Sequence, residues 1–161
     1  MEHKKLFKNF LKIIKKKKIK ICIAESLTGG RIAYEIVKNE GASKILDYSI
    51  VCYSINSKNN ILGLDTKIVK NEVVSEKVVK LMAEKVIKYS DANNILGLSC
   101  TGQAGPSILN KKEKLGTIFL GVNYKGNIFS IKKVFVKMDR KSIILKTVYE
   151  MINFAFEIIQ K

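Results

Sequence analysis

Ile19 to Gly30 reads IKICIAESLTGG, and the fold turns on this stretch. Ile19 to Ala24 alternates apolar and short side chains, the pattern of a buried strand. The run stops at Glu25-Ser26-Leu27-Thr28-Gly29-Gly30, and helical spacing begins at Arg31. The stretch therefore predicts a strand, a tight turn and a helix N-terminus. Amide N–H groups at such a turn lack helical partners, and the helix dipole adds partial positive charge. The turn suits an anion, or a carbonyl oxygen gaining negative charge. An ordinary connection capped by Ser26 or Thr28 reads equally well from this segment alone.

Working outward, residues 4–17 place Leu6, Phe7, Phe10, Leu11, Ile13 and Ile14 at helical spacing with lysines opposite, a first helix packed on the sheet. Residues 45–53, ILDYSIVCY, predict a second strand ending at Tyr53. A short helix follows and stops near Gly63, and residues 64–72 read as connecting chain. Ser75 offers an N-cap to a helix running to about Ser90. Residues 94–101 form a third, buried strand that ends at Gly102-Gln103-Ala104-Gly105-Pro106. After a lysine-rich loop, residues 116–124 and 127–136 are two strands joined at Lys125-Gly126, a hairpin signal. Asp139 caps the last helix. The order predicts an α/β class: residues 1–161 as a single layered α/β/α domain, with a mixed sheet of about five strands including a C-terminal antiparallel hairpin.

Composition narrows the function. Apolar residues make up 47%, enough for a full core in 161 residues. No run of eighteen apolar residues exists, and the lysine-broken N-terminus lacks the apolar centre of a signal peptide, so a cytoplasmic protein without membrane contact is expected. Cys22, Cys52 and Cys100 lie apart in strand-like runs and read as buried free thiols. With His3 the one histidine, a Cys/His metal site is not expected. The formal net charge is +16, but only Arg31 and Arg140 of the thirty basic residues are arginine. That is a lysine bias rather than a nucleic-acid face, so nucleic-acid binding is expected to be nonspecific at most. A non-catalytic basic module for nucleic acid or a protein partner stays open as the alternative.

Ligands in α/β sheets collect at strand ends where helices begin. Three strand ends carry polar or reactive residues: Glu25 to Gly30, Tyr53 to Lys58, and Thr101 to Pro106. If those strands are parallel neighbours, one rim gathers a hydroxyl, a phenol, an amine and a glycine-rich wall. Without a usable histidine, a serine nucleophile needs another base. Lysine serves if burial lowers its pKa, and Tyr53 could relay or orient the proton. Glu25 is also placed to pair with Lys58 and hold it charged, which opposes a base role until substrate binds. Two further matches are set aside. Gly97 to Gln103 has Walker-like glycine spacing but no lysine. Ser130-Ile131-Lys132-Lys133 matches S-x-x-K, but in a strand its serine and lysine point to opposite faces. The residues by themselves stop at an α/β domain with a serine-hydrolase or phosphate site.

Six segments in register carry the reading further: Ala24 to Gly30, Val51-Cys52-Tyr53-Ser54 with Lys58 and Leu62-Gly63, Val74-Ser75-Glu76, Thr101 to Pro106, Gly116-Thr117, and Asp139-Arg140. Over residues 5–158 the chain resembles the CinA C-terminal domain family in its stand-alone form, whose enzymatic members are nicotinamide-nucleotide amidases. The resemblance implies deamidation of nicotinamide mononucleotide to nicotinate mononucleotide and ammonia, without metal or other cofactor, in a homo-oligomer. It makes Ser26 the nucleophile, Lys58 the catalytic lysine and Tyr53 the accompanying tyrosine. Thr28, Gly29, Gly30, Thr101 and Gly102 wrap the small-molecule nucleotide substrate, and Arg140 lies near its phosphate. The turn amides would hold the oxyanion. The chain departs from the family after Pro106, where Ser107-Ile108-Leu109-Asn110 replaces further glycines. A different carboxamide substrate is the reading that this departure favours.

Overall fold

The computed structural model describes residues 2–161, with side chains from Lys4 onward, so the His3 side chain lies outside the described residues. In chain order the elements are α1 (Glu2–Lys16), β1 (Lys20–Glu25), α2 (Arg31–Val37), β2 (Leu46–Val51), α3 (Ile55–Asn60), α4 (Thr66–Glu72), α5 (Glu76–Val86), β3 (Ile95–Gly102), β4 (Thr117–Tyr124), β5 (Asn127–Val134) and α6 (Arg140–Gln160). The five strands form one sheet in the order β2-β1-β3-β4-β5. β1 pairs in parallel with β2 and β3, and the β3-β4-β5 pairings are antiparallel. The opening stretch thus supplies the central strand of the parallel half. The sheet is mixed, as the hairpin signal requires.

Alternation along the strands divides the core into two layers. Ile21, Ile23, Leu96, Leu98, Leu120 and Val122 face α1, α2 and α6, and Phe10, Ile14, Ile36 and Ile152 complete that layer. Cys22, Ala24 and Phe119 face the other way, against Leu62, Val69, Val78, Val79 and Met82. Helix α5 sits very close to the sheet: a Cβ on Gly121 would stand 2.8 Å from the Val79 carbonyl oxygen and 2.5 Å from Ser99 Oγ. The S-x-x-K match behaves as strand geometry demands. Ser130 donates to Glu76 on α5, and Lys133 pairs with Glu150 on α6.

Some boundaries differ from expectation, among them the end of α5, which stops at Val86 rather than near Ser90. Residues 64–72 are not plain connection: Asp65 accepts from the Lys67 amide at 2.7 Å and starts α4, which buries Val69. β2 ends at Val51, so Cys52 and Tyr53 belong to the turn into α3. β5 ends at Val134, two residues early. Ser75 does cap α5 and Asp139 caps α6. Among the described residues, no helix is long and apolar enough to cross a membrane.

Candidate active site

Because β2, β1 and β3 are parallel neighbours, their C-terminal ends share one rim. From β2 the chain turns at Ser54, whose side chain accepts from the Ser57 amide while Ser57 Oγ accepts from the Ser54 amide. This capping box fixes the start of α3. Lys58 lies in the next turn and is fully buried. Its Nζ donates to the carbonyls of Cys52, at 2.8 Å, and Tyr53, at 3.3 Å, and stands 2.9 Å from Ser26 Oγ. Burial pushes the Lys58 amine below the usual lysine value. The thiols that would oppose this, Cys52 and Cys100, are themselves pushed up by burial to about 11 and about 12. At neutral pH they are uncharged and do not hold the ammonium. Among the described residues no carboxylate forms an ion pair with Lys58. A neutral amine has two N–H groups. With both on the two carbonyls, its lone pair is left for the Ser26 hydroxyl proton.

Glu25 does not pair with Lys58. Its buried carboxylate points to the other side of β1 and accepts five bonds. Gly30, Ile32 and Ala33 give backbone amides at 3.0, 3.0 and 2.9 Å, and Thr28 and Ser49 give hydroxyls at 2.7 and 3.2 Å. The turn is therefore an anion site, and the anion is the chain's own side chain capping α2. Gly29 and Gly30, at φ +58° and +94°, supply the left-handed backbone that wraps the carboxylate. The amide of Gly29 bonds to the Ser26 carbonyl. The amides expected to face an oxyanion are thus mostly engaged. Sequence reasoning flagged Glu25 but gave it the wrong partner; an acid ending a strand just before a glycine turn and helix was the available signal.

The remaining residues divide. Tyr53 is 57% exposed, and its hydroxyl accepts from Arg140 at 2.7 Å. Arg140 also donates to the Gly105 carbonyl at 2.6 Å, so one guanidinium joins the chain after β2, the loop after β3 and the start of α6. Thr28, Gly29, Gly30, Arg31, Arg140 and Lys141 line a pocket of about 560 Å³ beside the turn. The Thr28 hydroxyl faces inward, to Glu25 and to the Cys100 thiol 3.1 Å away, and so is engaged within the turn. Thr101 likewise gives its hydroxyl to the Val73 carbonyl, on the α4–α5 side. Gly102 packs against β4, where a Cβ would stand 2.8 Å from Ile118 Cγ2. Gln103, quoted in the sequence without a role, proves to be fully engaged in the following loop.

A family model for the CinA C-terminal domain matches residues 3–160. The chain belongs to the CinA C-terminal domain family. A CinA-like protein from Flavobacterium psychrophilum is 35% identical over 151 residues, covering 93% of this chain and 34% of that protein. A Clostridium tetani protein named as competence-damage inducible is 38% identical over 135 residues, covering 83% and 32%. The chain thus spans about a third of the length of the curated relatives it matches. Among solved structures, the CinA superfamily protein from Klebsiella pneumoniae superposes with a TM-score of 0.87 at 21% identity over 96% of each chain. The competence/damage inducible protein CihA from Agrobacterium tumefaciens gives 0.88 at 24% identity, over 98% of this chain and 95% of that one. These two likenesses are of the CinA fold.

Proposed function

We propose that this chain is an amidase that hydrolyses nicotinamide mononucleotide to nicotinate mononucleotide and ammonia, with Ser26 as nucleophile and Lys58 as base. The observation that carries the chemistry is the buried Lys58 amine, 2.9 Å from Ser26 Oγ. The substrate follows from the motif resemblance. Ser26 Oγ attacks the carboxamide carbon while its proton moves to Lys58. Lys58 returns that proton to the departing nitrogen, ammonia leaves, and an ester remains on Ser26. Water then attacks the ester, its proton goes to Lys58, and the carboxylate product leaves as the serine is re-formed. The positive ring nitrogen draws electrons from the carboxamide and helps both attacks. The Leu27 amide, next to the nucleophile and outside the Glu25 set, is the donor for the oxyanion. Arg140 and Lys141 attract the phosphate in the adjacent pocket.

The test is ammonia release from nicotinamide mononucleotide by the purified protein. Ser26→Ala should abolish it, and normal turnover in that variant would sink the mechanism. The rebuilt 107–115 loop favours one second reading, another carboxamide on the same serine. A panel of pyridine carboxamides with and without ribose phosphate separates the two.

A further inference from the structure

We infer that Gln103 is the positioning residue for the mouth of this site: it sets the loop after β3 and, through the Gly105 carbonyl, the Arg140 guanidinium that meets the anionic end of the substrate. For its substrate the inference rests on the amidase reading; for its physical content it rests on the loop alone.

Gln103 is 1% exposed although it belongs to a polar loop. Its Oε1 accepts from the amides of Leu109 and Asn110, both at 3.0 Å. Its Nε2 faces the carbonyls of Asn110, Glu113 and Lys114 at 3.2, 2.7 and 3.1 Å. Its backbone closes the neck of the same loop, giving its N–H to the Thr117 carbonyl and accepting from Gly116. The loop has no apolar centre of its own: Ile108 and Leu109 are 52% and 61% exposed. One buried amide takes the place of that centre.

The loop's output to the site is Gly105. Leu115, at the loop's far end, packs so that a Cβ on Gly105 would stand 3.1 Å from its Cδ1. The Gly105 carbonyl accepts from Arg140, and Arg140 donates onward to Tyr53 Oη. A shift of the loop therefore moves the acceptor that aims the guanidinium. Misplacing a binding group by about 1 Å lowers the rate of a bound reaction by as much as ~10²-fold. The effect here falls on binding, because Ser26 and Lys58 are held from β1 and α3.

Gln103→Glu tests this with little change of shape. An ionised carboxyl keeps the two amide partners and sets an oxygen against three carbonyls; protonation at lower pH restores one donor. The chain has two arginines, so Arg31 is an internal reference for Arg140. Labelling with phenylglyoxal, read by mass spectrometry, should give an Arg140:Arg31 ratio at least about threefold higher in Gln103→Glu than in the wild type, falling back as pH drops. KM for nicotinamide mononucleotide should rise about tenfold with kcat within about twofold. An unchanged labelling ratio overturns the inference, as does a fall in kcat with KM held. If the wild type turns over no nicotinamide mononucleotide, the amidase reading fails and the labelling ratio still decides the role of Gln103. If Gln103→Glu does not fold, Asn110→Ala, which cuts the loop's bond to the Val74 carbonyl, is read the same way and should shift the ratio in the same direction.

Discussion

Lys58 holds its amine where charge is costly. Burial lowers its pKa, so between that lowered value and the ordinary lysine value of 10.5 the unfolded chain carries a proton that the folded chain has released. The unfolded state binds more protons there, so this group's contribution to stability increases as pH rises through the window. Lys58→Met removes that titration. The difference in unfolding free energy between wild type and variant should move in the wild type's favour as pH rises toward 10.5, read by urea unfolding at a series of pH values. A difference flat in pH would show an unperturbed amine. If the chain is the amidase proposed above, the same proton governs its activity: kcat/KM should fall with unit slope as pH drops below the Lys58 pKa, and Lys58→Met should lose about 10²–10⁴-fold of it. Glu25 gives the second prediction at this scale. Glu25→Gln sets an NH2 group against amide donors and should destabilise the fold by about 1–3 kcal/mol, measured by the same unfolding. Ser26, Tyr53 and Lys58 could be singled out because they stand at or just after strand ends, whereas Arg140, which opens α6, was marked by the family resemblance. The Glu25 partner was not readable, because a carboxylate next to a lysine's target looks like an ion pair until the strand's alternation places it on the opposite face.

Elements differ in how plainly sequence announces them. β1, β3 and β4 are nearly continuous apolar runs, and β5 follows from the hairpin turn, so the mixed sheet and both helix layers were legible. α4 was not: TKIVKNE buries only Val69, and its start depends on the Asp65 cap rather than on periodicity. Sequence also hides how closely elements pack. Gly121 reads as a weak spot in a strand, yet it lets α5 lie against the sheet, with the Val79 carbonyl 2.8 Å from the absent Cβ. Gly121→Ala should therefore cost about 1–3 kcal/mol of stability through overpacking. Gly126, in the hairpin turn at φ +79°, has nothing within 4 Å of an added Cβ. Gly126→Ala should cost only about 1 kcal/mol, from backbone strain alone. Paired urea denaturation curves check the order; equal costs would mean that α5 is free to back away from the sheet.

At the scale of the molecule, thirty cationic side chains face fourteen acidic ones, a formal +16. Several acids are already engaged: Glu25 by its turn, Glu35 by both Arg31 and Lys38, Glu113 by Lys132 and Glu150 by Lys133. The excess lysines thus repel one another across the surface, which opposes the compact state. Sodium chloride screens that repulsion, since the Debye length shortens from about 10 Å at 0.1 M to about 3 Å at 1 M. It equally screens the attraction of the basic surface for an anionic substrate. The buried Ser26–Lys58 contact lies beyond its reach. Raising sodium chloride from about 0.05 M to about 0.5 M should therefore raise Tm by a few degrees, raise KM for nicotinamide mononucleotide several-fold and leave kcat nearly constant. Calorimetry and steady-state kinetics in one salt series read all three. A kcat that falls in step with kcat/KM would place a screened charge inside the reacting pair, against the buried neutral amine on which the mechanism depends.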